Sequence, residues 1–193
     1  MDFHYGQVPI AALFCVRPAQ TGGLSKISSS VRIYNELLAH RPDLVEVLSK
    51  PLVWTKYGEG EPGEVDHYES PAFDFLNGYL CTALGPKHIK KGYALPNVPD
   101  LTAPQAEAVR VAEELAAEFH FATRLEAGDV LLTNNFVALH TRDGFVDWPE
   151  PERRRLMWRL WLVNDELRPP TAYARQWRHG IRLSTTQDRL VLS

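Results

Sequence analysis

Cysteine is scarce: Cys15 and Cys81 are the only two among 193 residues, and both sit in apolar surroundings. Two thiols in such surroundings fit a reducing cytoplasm better than a disulfide scaffold. A basic excess is also missing. The net charge is −3, so the chain lacks the positive stripe of a nucleic-acid surface. No apolar run here is long enough to cross a bilayer, and no signal peptide is expected before the first strand. No glycine-rich phosphate loop, internal repeat or low-complexity stretch occurs, which weighs against nucleotide-binding folds and solenoids. The expectation is a soluble cytoplasmic protein.

What is present suits one globular domain, with 45% hydrophobic and 23% charged residues. The continuous apolar run at 10–16 reads as a strand buried on both faces. A turn rich in glycine and proline follows at 17–25. Val31, Tyr34, Leu37 and Leu38 recur at helical spacing behind a serine cap, and Pro42 opens a second short helix. Residues 50–65 read as an exposed loop or irregular hairpin around Trp54. Residues 68–84 read as strands with a hairpin turn at Asn77-Gly78. Residues 87–100 are basic, then rich in proline, and read as a loop over the sheet. Thr102-Ala-Pro-Gln105 is a capping box that starts a helix with Ala108, Ala112, Leu115, Ala116 and Phe119 on one side. Short strands with a few surface helices fit a β-sandwich or open barrel.

The most informative stretch is Gly128-Asp-Val-Leu-Leu-Thr-Asn-Asn-Phe-Val-Ala-Leu-His140, followed by an arginine-rich strand over 153–163. Gly128 reads as the start of a final core hairpin, with a strand ending on His140. Alternation puts Arg155, Met157, Arg159 and Trp161 on one face and Leu156, Trp158, Leu160 and Leu162 on the other. The apolar face is expected to point into the core, with Trp158 and Trp161 as core residues. Two guanidiniums among large apolar groups require anionic partners, and the rigid fork of arginine suits a carboxylate. The spacing therefore predicts a pocket holding a histidine and an acid. A surface ion pair with Asp147, Glu150 or Glu152 is the competing reading. His67 and His88 read as solvated loop residues, and His120 as a favourable helix end.

These residues resemble the taurine dioxygenase-like (TauD/TfdA) family of iron(II) and 2-oxoglutarate dependent oxygenases. Phe3-His4-Tyr5-Gly6, the apolar strand, Arg17-Pro18-Ala19 and Gly22-Gly23-Leu24-Ser25 follow the family's order. Ser29 to Leu38, Arg41 to Val47 and Asp147 to Glu152 add subgroup features. The resemblance implies a mainly β double-stranded β-helix (jelly-roll, clavaminate synthase-like) over residues 1–163, with 164–193 as a C-terminal extension. It implies His4 and His140 as iron ligands, and Ser25 and Arg155 as anchors for the far carboxylate of 2-oxoglutarate. Arg159 would help there or hold an anionic substrate. Fe(II), 2-oxoglutarate and O2 are the implied cofactors, and a small molecule the implied partner. Asn134 and Asn135 are expected to make backbone or supporting hydrogen bonds.

Two departures stand out. The carboxylate of the family's His-x-Asp motif is Gly6 here, and glycine cannot ligate. The same vacancy occurs in superfamily members that halogenate carbon, where chloride binds the iron; Gly6 is then an open halide position. The alternatives are an oxygenase with a substitute ligand (Asp2, Asp66 or Asp74) or a non-catalytic binding remnant. In addition, the chain begins almost at the motif. The implied β-helix is N-terminally incomplete, with an open sheet edge for a missing N-terminal portion, a partner or a homo-oligomer to cover.

Overall fold

The apolar run at 10–16 folds into a strand, and it lies in the middle of a sheet rather than at an edge. The computed structural model describes residues 3–4, 8–56 and 65–162. In chain order the elements are β1 (Ile10–Arg17), β2 (Thr21–Gly22), β3 (Ser25–Ser29), α1 (Ser30–His40), α2 (Pro42–Leu48), β4 (Leu52–Thr55), β5 (His67–Ser70), β6 (Phe73–Leu76) and β7 (Tyr79–Thr82). They continue with α3 (Pro86–Tyr93), α4 (Ala103–Glu118), β8 (Phe121–Thr123), β9 (Val130–Asn134), β10 (Ala138–Arg142), β11 (Phe145–Val146), a 3₁₀ turn (Pro151–Arg153) and β12 (Leu156–Leu162). The C-terminal extension expected over 164–193 lies outside the described residues.

Two three-stranded antiparallel sheets, ordered β12-β1-β9 and β10-β3-β8, supply the walls of one cleft. The stretch ending on His140 is not one strand of a hairpin. It divides into β9, which pairs with β1, and β10, which pairs with β3. Asn134 makes the break: its Oδ1 accepts from Phe136 N–H at 3.0 Å, and its carbonyl accepts from Val137 N–H at 3.3 Å. Side-chain bonds of this kind compete with the ladder and turn the chain. β12 likewise returns to β1 and not to β10, with Leu13 opposite Arg159.

The alternation expected for β12 is present, but its apolar face points outward. Trp158, Leu160 and Leu162 are exposed, as are Val130 and Leu132 of β9, and Trp158 packs at a tilt against Phe14 with ring centres 5.5 Å apart. Trp158 is therefore not a core residue. The sheet turns its mixed face, not its greasy one, toward the interior, so alternation assigned the sides correctly and their direction wrongly.

The helices make the apolar core with the back of the second sheet. Ile33, Leu37, Leu44, Leu48, Ala108, Val109, Ala112 and Ala116 bury themselves around Leu139 and Trp54. Each buried leucine, isoleucine or valine side chain contributes on the order of 1.5–3 kcal/mol. In α1 the buried positions are Ile33 and Leu37, while Leu38 lies exposed, so the stripe is rotated from the one expected. Ser29 caps α1, and the Thr102–Gln105 capping box of α4 is complete in both directions. The Asn77-Gly78 hairpin also stands, with both residues at positive φ. Around Trp54 the hairpin alternative stands, because β4 pairs antiparallel with β5, although Trp54 is buried and not exposed; the loop reading of 87–100 fails over its first part. Residues 52–55 form a fully buried strand, whose Trp54 donates Nε1–H to Ser70 O at 2.8 Å. Residues 86–93 form α3, opened by Pro86 in its first turn. α3 packs so closely on β4 that a Cβ on Gly92 would come within 2.6 Å of Val53 O.

Candidate functional site

His4 and His140 form an isolated antiparallel bridge. His4 N–H donates to His140 O at 3.1 Å, and His140 N–H donates to His4 O at 2.8 Å. Residues that exchange both bonds present their side chains on one side of the ladder. The ring centres are accordingly 4.6 Å apart. Two imidazoles bound at right angles to one metal ion, at about 2.1 Å, bring their ring centres to about 4.5 Å. Asn135 secures the chain leading away from His4: its Nδ2–H donates to Val8 O at 2.7 Å and its N–H to Pro9 O at 2.9 Å. Asn134 and Asn135 thus make the backbone hydrogen bonds expected of them.

Burial pushes the His140 imidazolium down to a pKa of about 4, assisted by His4 and Arg159 nearby. The ring is neutral at physiological pH, as a metal-binding imidazole must be. Its Nδ1 is buried and has no hydrogen-bond partner. A neutral imidazole beside a second one, with an unsatisfied buried nitrogen, fits a metal ion. Among the described residues no group of three His, Cys, Asp or Glu side chains could hold one, and the histidine pair is what those residues offer. Asp66 and Asp74 are not among the described residues lining the cleft. Gly6, Asp2 and Tyr5 lie outside the described residues.

The other wall is cationic. A cleft of ≈ 670 Å³ is lined by His4, His140, Ser25, Arg142, Arg155 and Arg159, with Leu13, Met157 and Trp161 between them. Arg155, Met157, Arg159 and Trp161 share this wall as the alternation required. Trp161 is a cleft residue, 36% exposed, and not core. Burial lowers the Arg155 pKa from its ordinary value, and the neighbouring Arg142 charge adds to the effect. Gly22 and Gly23 are both at φ +72°, which favours glycine, and at Gly22 the strands also approach so closely that a Cβ would stand 2.5 Å from Gly144 O.

The surface ion-pair reading of these arginines does not hold. Asp147 Oδ1 accepts from the main-chain N–H of Arg155 at 2.7 Å and of Trp148 at 3.1 Å. Glu150 lies 3.7 Å from Arg153 instead. Among the described residues, Arg142, Arg155 and Arg159 have no carboxylate partner, whereas Lys26 on the same cleft is paired with Asp143 at 2.8 Å. A wall of unneutralised guanidiniums is a receptor for anions.

His88 and Arg142 are cleft residues that sequence reasoning missed. His88 rides on α3, its ring centre 6.2 Å from that of His4. Gly85-Pro86, a helix start by proline at the first position, was the available signal. Arg142 stands two residues beyond His140 on the same strand, so period-two alternation alone places it beside the histidine. His120 ends α4 as expected, with Nδ1 2.6 Å from Ala117 O.

A family model described as "Taurine catabolism dioxygenase TauD, TfdA family" matches residues 2–161. Curated relatives include the taurine hydroxylase-like protein SAT17 of Stachybotrys chartarum, 29% identical over 98% of this chain and 47% of that protein. FR-33289 synthase of Streptomyces rubellomurinus is 30% identical over 84% of this chain and 49% of its own length. Uridine-5'-phosphate dioxygenase of a Streptomyces species is 26% identical over 85% and 59%. The chain spans about half the length of the first two. Among solved structures, asparagine oxygenase in complex with Fe(II), 2S,3S-3-hydroxyasparagine and succinate aligns with TM-score 0.60, at 17% identity, over 83% of this chain and 49% of that one. The non-heme iron oxygenase OrfP with Fe and alpha-ketoglutaric acid aligns with TM-score 0.58, at 14% identity, over 81% and 45%. These likenesses establish the fold, the double-stranded β-helix expected from the sequence.

Proposed function

Because the chain belongs to the TauD/TfdA family, we propose that it oxidises an unactivated C–H bond of a small anionic molecule, with iron(II), 2-oxoglutarate and O2. The observation that carries this reading is the juxtaposition of the His4–His140 pair with unpaired arginines across one cleft. His4 and His140 would hold the iron. Ser25 and Arg155 would fix the far carboxylate of 2-oxoglutarate, and Arg159, with Trp161 beside it at 5.3 Å, the anionic group of the substrate. When bound, the iron supplies oxygen activation coupled to decarboxylation of 2-oxoglutarate to succinate and CO2. The protein's part is to keep the His140 imidazole neutral, present it with His4 on one side of the ladder, and orient two anions beside them. SAT17 is named for taurine and another relative for uridine-5'-phosphate; both compounds carry an oxyanion, which Arg159 would receive.

Gly6 supports chlorination, with chloride in the place of the absent carboxylate. The names of the relatives, a hydroxylase-like protein and a dioxygenase, favour hydroxylation as the second reading. Product analysis by mass spectrometry with chloride supplied separates the two, using Gly6→Asp as the control. Chlorinated product from wild type and hydroxylated product from Gly6→Asp support the first reading. No turnover in wild type with hydroxylation restored by Gly6→Asp overturns it. The free buried cysteines fit a cytoplasmic location, and among the described residues no helix is long and apolar enough to cross a membrane. The exposed apolar face of β12-β1-β9 fits cover by further chain or by a second copy, which mass measurement by light scattering distinguishes.

A further inference from the structure

We propose that Arg142 is a second guanidinium of the receptor for the distal carboxylate of 2-oxoglutarate, held beside Arg155 by the ring of Phe145. The inference rests on the reading of Ser25 and Arg155 given above and extends it to a residue outside the expected set.

The ladder between β3 and β10 puts Arg142 directly opposite Ser25. Directly opposed residues project to the same side, so hydroxyl and guanidinium enter the cleft together. The Arg142 guanidinium carbon lies 4.5 Å from the Phe145 ring centre, and that of Arg155 lies 5.3 Å from the same ring. Phe145 is pinned in turn. It pairs with Gly22 across β11 and β2, and the closeness of that approach is what excludes a side chain at Gly22. One aromatic plate therefore stations two guanidiniums.

Their charges repel. Among the described residues the Arg142 side chain makes one hydrogen bond, from Nη1 to Asp143 O at 2.9 Å, which leaves most of its five donors for a ligand. Two neighbouring acids are engaged elsewhere, Asp143 with Lys26 and Asp147 with main-chain N–H groups. Two like charges held near one ring, without a carboxylate between them, are relieved by an anion. A carboxylate offers about four lone-pair sites. A bidentate arginine takes two; Ser25 and a second arginine take the others. Ser25, Arg142 and Arg155 together thus match a complete carboxylate, which Ser25 and Arg155 alone do not. Arg159 stands two pleats further along β12, beside Trp161, and is free for a different anion.

The test is anaerobic titration of the iron(II)-loaded protein with 2-oxoglutarate and, separately, pyruvate, following the visible absorption of the chelate. Pyruvate offers the same chelating end without the distal carboxylate. Arg142→Met keeps an unbranched stem against Phe145 and removes the charge. The expected result is an affinity for 2-oxoglutarate weakened about ten- to hundredfold, the range for losing a charged hydrogen bond, with pyruvate binding unchanged. In the Arg142→Met/Arg155→Met double variant the losses should be less than multiplicative, because both groups serve one anion. Equal 2-oxoglutarate affinity in wild type and Arg142→Met overturns the inference alone. So does an equal loss for both keto acids, which marks a merely structural residue. Absence of the chelate in wild type sinks the proposed function, and this inference with it.

Discussion

His4 and His140, 136 positions apart in the chain, hold each other by two main-chain hydrogen bonds of 3.1 and 2.8 Å, with ring centres 4.6 Å apart. The backbone, not the side chains, makes the pair. Either ring can therefore be removed without dissolving the bridge that positions the other.

His140→Ala should for that reason leave the sheet intact and abolish metal binding, measured by the spectrum of added cobalt(II). A loss exceeding a hundredfold is expected when one of two protein ligands is deleted, since even supporting residues cost ten- to hundredfold. No cobalt spectrum in wild type, with 2-oxoglutarate binding unchanged by His140→Ala, would identify a metal-free binding remnant instead.

Acid should weaken the metal-free fold in a defined window. His140 moves from an ordinary value of 6.5 to about 4 on folding. Between those values the unfolded chain takes up a proton that the folded chain refuses. The stabilising contribution is thus complete above pH 6.5 and lost as pH falls toward 4. At about 1.36 kcal/mol per pKa unit the loss is on the order of 3 kcal/mol. Urea midpoints at pH 7.5 and pH 4.5 should differ accordingly, and the difference should shrink in His140→Gln.

Gly22→Ala should both destabilise the protein and damage the cleft. The substitution meets a φ of +72° and a carbonyl oxygen 2.5 Å from the new Cβ. A cost of about 1–3 kcal/mol is expected from the backbone conformation, seen as a lower melting temperature. Because Phe145 sits against Gly22, the variant should also bind 2-oxoglutarate more weakly. Gly78→Ala, where no atom lies within 4 Å of the added Cβ, should cost stability through φ alone and leave the cleft unaffected.

Arg159→Gln should raise the KM for an anionic substrate at least tenfold while leaving 2-oxoglutarate affinity unchanged, because Arg159 lies along the strand from the Ser25–Arg142–Arg155 group. A parallel loss of both affinities would place Arg159 in the co-substrate site.

Local chemistry was readable wherever a signal is complete within a few residues. The Thr102–Gln105 capping box, the Asn77-Gly78 turn and the alternation from Arg155 to Trp161 all stand in the structure. What was hidden depended on partners distant in the chain. Alternation in β12 says which side chains share a side, but only β1 decides which side is covered; hence Trp158 faces outward. The apolar stretch from Val130 to His140 looked continuous because the break at Asn134 is made by a side-chain bond to Phe136 N–H, which periodicity does not register. α3 was obscured by its lysines, which lie on the solvent side while Ile89 and Gly92 bury against β4. His88, set on that helix, could not be placed beside His4 until the helix was known.

The central claim is that one cleft binds iron through His4 and His140 and 2-oxoglutarate through its arginines. Its most direct test is anaerobic titration of the protein with iron(II) and 2-oxoglutarate, with and without chloride, watching for the visible charge-transfer band of the chelate. The account predicts a band in wild type, absent in His140→Ala, that shifts when chloride is added. A band indifferent to chloride would contradict the halide position at Gly6 and favour the hydroxylase. No band at all would contradict the claim itself.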